Sequence, residues 1–201
     1  MGIELHLIST GRQSRQEFVA LASELHRYVH AIHIREKDKT AKWMLDTVLV
    51  LIDHGVPPSK IIINDRVDVA LATHVKGVQL AYHSIPPILV KKEFPSLQVG
   101  CSVHSVDEVK IAQEQGVDYM IFGHIFPTNS KQGLEPRGIE QLNQIVELSN
   151  IPIIAIGGIK PNHVPQILKA GAKGIAIMSG ILEAEDPLEA VKAYTDKLEL
   201  V

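Results

Sequence analysis

Residues 118–131 read DYMIFGHIFPTNSK, and this stretch shows the pattern from which the fold can be predicted. A short apolar strand, Asp118 to Phe122, is followed by His124 and then by a polar loop that ends in a lysine. Histidine is the side chain most easily set to exchange protons near neutral pH, so the end of this strand is a candidate site. Apolar strands of this kind recur about every 20 to 30 residues. They are predicted at Leu5–Ser9, Ala31–Arg35, Lys60–Asn64, Gly77–Leu80, Gln98–Ser102, Asp118–Gly123, Pro152–Ile156 and Gly174–Met178.

The segments between these strands have apolar residues at helical spacing and carry helix end signals. Ser105 and Asp186 each begin a segment that resembles a capping box, and Gly116 and Gly171 stand where helices are expected to end. Repeated alternation of strand and helix favours a parallel sheet with crossover helices. Eight units without a break in composition predict a single (β/α)8 TIM barrel domain over residues 1–201. An open doubly wound sheet is the alternative.

Composition excludes several classes of partner. The chain has 201 residues, of which 45% are hydrophobic, and its 20 basic and 23 acidic residues give a formal net charge of -3. Because no Lys/Arg-rich block is present, nucleic acid is not expected as a partner. Cys101 is the one cysteine, so no internal disulfide can form. Since the chain lacks a signal-like apolar segment and any run near the ~20 residues that cross a bilayer, we expect a cytoplasmic protein without a membrane partner.

Chemistry in (β/α)8 barrels lies at the C-terminal ends of the strands, and polar residues collect there in this sequence. The strand period of two adds direction, because His33 and Arg35 face the barrel axis if Ile32 and Ile34 face the helices. By the same alternation, His124 shares a face with the alternate residues of its own strand. The polar residues at the strand ends are Ser9, Thr10, Arg35, Lys37, Asn64, Asp65, Gln79, His83, Ser102, His104, His124, Gly157, Gly158, Ser179 and Gly180.

Two glycine-bearing turns suggest what binds. Gly157-Gly158 ends the seventh predicted strand, and Ser179-Gly180 ends the eighth. Glycine lets backbone N–H groups approach a ligand closely, and in barrels the last two strand ends are the usual place for a phosphate. The two turns together predict a phosphate site.

Four segments carry a resemblance to a known family. Residues 64–72 (NDRVDVALA), 102–105 (SVHS), 123–131 (GHIFPTNSK) and 155–159 (AIGGI) closely resemble the thiamin phosphate synthase superfamily, whose members are (β/α)8 barrels. The segments occur in the family's order and spacing across nearly the whole chain. Within the superfamily, the synthases join a pyrimidine diphosphate to a thiazole phosphate, whereas TenI-type thiazole tautomerases isomerise a thiazole phosphate.

Three departures from the synthase pattern favour the tautomerase branch. Residues 79–84 read QLAYHS, where synthases have acidic residues, so Asp65 lacks the carboxylate partner that a magnesium site needs. His33 stands where synthases generally have glutamine. Gly123-His124 replaces a Gly-Pro pair and resembles the tautomerases, in which this histidine is catalytic.

The resemblance therefore implies a thiazole tautomerase of thiamin biosynthesis, an isomerase in which His124 moves a proton by acid–base catalysis. Neither a metal nor another cofactor is implied. The substrate is a small-molecule thiazole phosphate carboxylate, and family members are commonly homodimers. The residues implied to bind substrate are Arg35, Lys37 and Lys131 at the carboxylate, Gly158, Met178 and Ser179 at the phosphate, Thr128 and Ser130 at the thiazole, and Asn64 and Ser102 where synthases hold the diphosphate.

Other interpretations stay open at this point. The chain can be a thiamin phosphate synthase with a degraded magnesium site, or a non-catalytic barrel that binds thiamin-related ligands and regulates other proteins. Arg35 and Lys37 can form ion pairs with Glu36, Asp38 or Asp65 instead of binding a ligand. His33 and His83 are interpreted as pocket wall, His104 as a residue that stabilises its loop, and Cys101 as a core residue turned towards the helices.

Overall fold

The computed structural model describes residues 2–131 and 133–199. Eight parallel strands close into a barrel in sequence order, with the last strand paired to the first. This confirms the predicted (β/α)8 barrel, and the alternative of an open doubly wound sheet is wrong. The strands are β1 (Glu4–Ile8), β2 (Ala31–Ile34), β3 (Ile61–Asn64), β4 (Gly77–Leu80), β5 (Gln98–Val103), β6 (Tyr119–Gly123), β7 (Ile153–Ile156) and β8 (Gly174–Ile177).

Helices follow the strands and cover the barrel. Within residues 2–131 and 133–199, no helix is long and apolar enough to cross a membrane. Short 3-10 turns lie at Pro58–Lys60, Asn129–Lys131 and Pro161–His163. The α-helices are α1 (Arg15–Leu25), α2 (Ala41–Asp53), α3 (Val67–Thr73), α4 (Pro87–Glu93), α5 (Val106–Glu114), α6 (Gly138–Leu148), α7 (Val164–Lys169), α8 (Ser179–Leu182) and α9 (Pro187–Glu199).

The strands separate two cores, because successive side chains point to opposite faces. The outer core lies between strands and helices and is built from aliphatic side chains with Phe18 and Phe122. The inner core lies inside the barrel and contains Ile62, Ile121 and Ile154. As alternation predicts, Ile32 and Ile34 belong to the outer core, and Cys101 packs against it. His33 points inward, where its ring lies 5.1 Å from that of His6.

The helix ends agree with the sequence signals in part. The side chains of Ser105 and Asp186 accept hydrogen bonds from backbone N–H groups at 3.2 and 3.0 Å, as expected for N-caps. The reciprocal bond of a capping box is absent at Ser105, because the carboxylate of Glu108 binds the N–H of His104 at 2.7 Å instead. A complete capping box lies at Ser14 and Glu17, where the sequence signals did not indicate one. Gly116 and Gly171 end helices with positive φ, as predicted.

Candidate active site

The predicted site residues lie on one rim of the barrel. The carboxyl ends of parallel strands meet at the same end of a (β/α)8 barrel, so the topology brings these residues to one side. Asn64 closes β3, Ser102 lies near the end of β5, and His124 follows β6 directly. The others stand in the loops that follow β2, β6, β7 and β8 or, for Ser179, at the start of α8, and they are Arg35, Lys37, Thr128, Ser130, Lys131, Gly158, Met178 and Ser179.

Arg35 presents an unpaired charge at this rim. Its backbone N–H donates to the hydroxyl of Ser9 at 2.8 Å, which fixes the turn after β2. The side chain is half-buried, and burial lowers the pKa of the guanidinium. In residues 2–131 and 133–199, it makes no ion pair with Glu36, Asp38 or any other carboxylate. A half-buried cation that makes no direct ion pair, and that interacts with Glu36 only at longer range, is suited to bind an anionic ligand.

His124 is tied to the loop that follows it. The residue is only 8% exposed. Its Nε2 lies 3.3 Å from the carbonyl oxygen of Leu134, and its own carbonyl accepts from the N–H of Arg137 at 2.8 Å. Because a carbonyl can only accept, Nε2 carries the proton of this bond and Nδ1 keeps its lone pair when the ring is neutral. The imidazole therefore anchors the β6–α6 loop to the end of its strand.

The glycine turn after β7 is shaped by the neighbouring loop. Gly157 and Gly158 have φ values of 98° and 64°, which side-chain-bearing residues rarely adopt. A Cβ on Gly157 would lie 2.3 Å from the Cβ of His124, and one on Gly158 would lie 2.4 Å from the carbonyl oxygen of Pro127. The glycines are thus required for close packing of the β6–α6 loop. In the part of the chain that the structure describes, the N–H groups of Gly158 and Ser179 donate no hydrogen bond to the protein.

Amide groups occupy the other side of the rim. The Gln79 amide nitrogen donates to the Ser102 hydroxyl at 3.0 Å and holds that side chain in place. Gln79 lies at a strand end but does not belong to the site predicted from sequence. The side-chain amide oxygens of Asn64 and Gln79 are buried and have no hydrogen-bond partner. Buried polar groups are normally hydrogen-bonded, and unsatisfied ones require an explanation.

The rim does not form a complete magnesium site. Asp65 is exposed and has a φ of 67°. Mg²⁺ prefers several oxygen ligands at close to octahedral geometry. Among the described residues, no group of three or more His, Cys, Asp or Glu side chains could hold a metal ion. Asp65 offers one carboxylate, so a Mg²⁺ ion held here would have to take its other oxygen ligands from the diphosphate and from water.

His83, His104 and Cys101 make local contacts of their own. His83 is exposed and packs edge-on against Tyr82. His104 pairs with Glu108 at the start of α5, which agrees with a role in stabilising its loop. Burial raises the pKa of the Cys101 thiol to about 11. A thiol with so high a pKa is a poor nucleophile at neutral pH.

Sequence inspection also missed a polar group inside the barrel. Glu4 and His6 of β1 point inward beside His33 and Tyr119, and none of these four was assigned a function as a cluster. The signal is present in β1, where Glu4 and His6 alternate with Leu5 and Leu7. Their contact with His33 depends on strand register, which the sequence does not state.

A closed (β/α)8 barrel with polar groups collected at its carboxyl rim is the architecture of an enzyme. Comparison with known proteins narrows the class. The sequence profile described as thiamine monophosphate synthase matches residues 5–181, and the chain belongs to that family.

Similarity to members of the family extends along the whole chain. Thiamine-phosphate synthase 1 of Aquifex aeolicus is 34% identical over 209 aligned positions, which cover 100% of this chain and 97% of that protein. Thiamine-phosphate synthase of Pyrococcus abyssi is 35% identical, and the match covers 98% of this chain and 93% of that protein. The solved structure of thiamine phosphate pyrophosphorylase from Pyrococcus furiosus superposes with a TM-score of 0.83 at 30% identity. That match covers 98% of this chain and 96% of the other.

These relatives correct the predicted branch. They are named as synthases, and the assignment as a thiazole tautomerase, an isomerase using His124 for acid–base catalysis, is wrong. The prediction of an enzyme of thiamin biosynthesis is confirmed. The physical reason for the error is that His33, His124 and the missing carboxylate after β4 show which groups are available at three positions. They do not show which ligands the whole rim binds.

Proposed function

We propose that this enzyme is a thiamine-phosphate synthase that works with an incomplete magnesium site. It joins a pyrimidine diphosphate to a thiazole phosphate, and pyrophosphate leaves. The observation that carries the proposal is the full-length similarity to enzymes named as synthases, at 34% and 35% identity. No oxidation or reduction accompanies the transfer, so no redox cofactor is needed.

Positive side chains of the rim take the negative charge that the departing pyrophosphate carries. Arg35 has no carboxylate partner among the described residues, and Lys37 and Lys131 are exposed in loops on the same rim. Cations placed where charge develops stabilise the transition state, and a guanidinium can bind phosphate oxygens through two parallel hydrogen bonds. In this proposal, the three side chains supply the charge that the incomplete metal site does not.

In this proposal, the thiazole phosphate binds at the ends of β7 and β8 and beside the β6–α6 loop. The N–H groups of Gly158 and Ser179, which have no partner in the described residues, face this ligand in the proposal, with Met178 between the last strand and α8. Thr128 and Ser130 line the β6–α6 loop, and Asn64 and Ser102 complete the diphosphate side. His124 contributes by anchoring that loop through Leu134. The homodimer and the cytoplasmic location stay predictions.

The proposal is tested by measuring pyrophosphate release from the purified protein with a pyrimidine diphosphate and the thiazole phosphate. Each assay is run with Mg²⁺ and with a chelator. We expect release in both, because protein cations carry part of the charge, and a 10- to 100-fold lower rate for Lys131→Ala, about the loss of 1.4 to 2.7 kcal/mol of transition-state stabilisation.

Lys110→Ala is the matched control, since Lys110 is an exposed lysine on α5 away from the rim loops. Its rate should equal that of the unmodified protein. Absence of pyrophosphate release under every condition would overturn the proposed function. Equal losses in Lys131→Ala and Lys110→Ala would remove the assigned role of Lys131.

A further inference from the structure

Three titratable side chains form a continuous hydrogen-bonded chain through the inside of the barrel. Nε2 of His6 lies 3.0 Å from Oε2 of Glu4, and Nδ1 of His6 lies 3.0 Å from Nε2 of His33. His33 is fully buried and His6 is 2% exposed, whereas the side chain of Glu4 is 30% exposed. Glu4 begins β1, so the chain starts at the N-terminal mouth of the barrel, opposite the candidate active site.

The chemistry of the partners fixes the direction of the hydrogen bonds. An ionised carboxylate only accepts, so Nε2 of His6 donates to Glu4. Nδ1 of His6 then accepts, and Nε2 of His33 is its donor. Burial lowers the pKa of His6 and His33, and the hydrogen bond from His6 lowers the pKa of Glu4. At neutral pH, the three hydrogen-bonded side chains are therefore an ionised carboxylate, Glu4, and two neutral imidazoles, His6 and His33.

The upper end of the chain is open towards the candidate site. Nδ1 of His33 is buried and has no hydrogen-bond partner, and neither has the amide oxygen of Asn64. The two side chains are close enough for Asn64 to raise the pKa of His33, against the larger effect of burial. Asn64 is the last residue of β3, on the rim where the predicted site residues lie. Two buried acceptor atoms without a partner, Nδ1 of His33 and the amide oxygen of Asn64, therefore belong to neighbouring side chains at this end of the hydrogen-bonded series.

We propose that Glu4, His6 and His33 form a proton relay that connects the N-terminal mouth of the barrel to the candidate site beside Asn64. In one direction, a proton binds Nδ1 of His33, the Nε2 proton of His33 passes to Nδ1 of His6, and the Nε2 proton of His6 passes to the Glu4 carboxylate. One proton enters and one carboxylate is neutralised. Both imidazoles stay neutral throughout, and the reverse sequence returns the proton.

The relay lets His33 take up a proton without becoming a buried charged group. An isolated imidazolium at the position of His33 would be costly, because burial strongly disfavours a charged group. The relay places the added proton on a carboxyl group at the mouth, where Glu4 is partly exposed to solvent. In the protonated state, Nδ1–H of His33 donates to the amide oxygen of Asn64. Both buried atoms that lack a partner are then satisfied.

Other ionisable groups near Glu4, His6 and His33 affect how readily these three side chains take up a proton. Lys76 and His30 lie near Glu4 and favour its ionised form. His30 is held by the backbone N–H of Leu5, which donates to its Nδ1 at 3.1 Å. Tyr119 packs edge-on against His6, and burial raises the pKa of its phenol, with Glu4 adding to the effect. Lys76 therefore opposes proton uptake, and the neutral phenol leaves the relay charge unchanged near pH 7.

A structural polar cluster and a relay differ in what happens to the two nitrogens of His33. In a relay, uptake of one proton protonates Nδ1 while Nε2 loses its proton, so the ring changes tautomer. Simple titration leaves Nε2 protonated and adds a second proton at Nδ1. A merely structural ring changes neither nitrogen while the protein is folded.

The test is ¹⁵N NMR of the histidine ring nitrogens in the full chain, recorded from neutral pH downward over the range in which the amide spectrum stays that of the folded protein. We expect the Nδ1 signal of His33 to move to the position of a protonated nitrogen as its Nε2 signal moves the opposite way. Glu4→Gln and His6→Phe should each abolish this exchange. Glu24→Gln, an exposed carboxylate on α1, should leave it intact.

Two results would overturn the relay. One is that both nitrogens of His33 become protonated together, or that neither changes, across the folded range of the unmodified protein. The other is an exchange of tautomers that persists in Glu4→Gln or in His6→Phe. Because these variants can lower stability, each spectrum is accompanied by a urea unfolding curve at the same pH. The NMR readout requires no substrate, so it is independent of the proposed synthase reaction.

Discussion

The outer and inner cores of the barrel are built on opposite principles. The outer core joins the strands to the helices through aliphatic side chains such as Leu7, Ile34 and Val99 and contains Phe122. The inner core mixes aliphatic residues with Glu4, His6 and other polar groups, several of which have unsatisfied atoms. The first arrangement follows from transfer of apolar surface out of water, and the second requires individual hydrogen bonds.

The outer core therefore determines mainly the fold, whereas the inner core holds the polar groups that can take part in chemistry. An apolar side chain in the outer core can be exchanged for another of similar size at modest cost, because the hydrophobic effect is not directional. A polar residue of the inner core needs a particular partner at a particular strand register. We therefore expect the two cores to respond differently to substitution.

The largest effect is expected in the outer core. Phe122 is 1% exposed and lies between β6 and the helix layer. Phe122→Ala should lower the free energy of unfolding by about 3 to 5 kcal/mol, because it removes buried apolar surface and leaves a cavity. Urea unfolding followed by circular dichroism measures the loss. Leu49→Ala is the control, since Leu49 is 53% exposed and its truncation should change stability little.

A smaller effect is expected where the inner core is tightest. A Cβ on Gly100 would lie 2.2 Å from Cζ of Tyr119 and 2.3 Å from Oε1 of Gln79. Gly100→Ala should therefore lower the free energy of unfolding by about 1 to 3 kcal/mol through overpacking. Gly2→Ala provides the comparison, because no atom lies within 4 Å of its added Cβ. A stability for Gly100→Ala equal to that of Gly2→Ala would mean that the inner core can move aside.

The fold could be predicted from sequence because it depends on local signals that repeat. Gly77–Leu80 coincides with the observed β4, and the other predicted strands differ from those observed by one residue at one or both ends. Alternation within strands also placed His33 inside the barrel correctly. Each of these signals is contained in a short window of sequence, where apolar periodicity and glycine positions are sufficient.

The site could be predicted only in outline, because its contacts join residues that are distant in sequence. The rim residues are recognisable as polar groups at strand ends, yet the link between His124 and Leu134 depends on the path of a loop. The contact between His6 and His33 depends on the pairing of Ile8 with His33 across two strands. The family was recognisable from motifs, but the branch was not, since three altered positions were given more weight than the similarity of the whole chain.

The smallest effect is expected in how stability depends on pH, and it isolates one inner residue. Burial holds the pKa of His33 well below its ordinary value of 6.5. Below about pH 6.5, the unfolded chain binds a proton that the folded protein does not, so stability falls as the pH decreases towards the lowered pKa. One such proton corresponds to at most about 1.4 kcal/mol per pH unit. His33→Gln should remove that share of the slope.

The difference between the two proteins is the informative quantity, because other groups also titrate. Burial raises the pKa of Glu36, so the folded protein binds its proton first and gains stability as the pH falls towards the ordinary value of 4.5. This opposes the effect of His33 in the unmodified protein and is common to both. Urea unfolding at several pH values between 7 and 5 gives the two slopes. If the free energy of unfolding changes with pH in the same way in the unmodified protein and in His33→Gln, His33 is protonated equally in the folded and unfolded states. The buried histidine of the inner core would then contribute nothing to the pH dependence of stability, and the two cores would not differ in this respect.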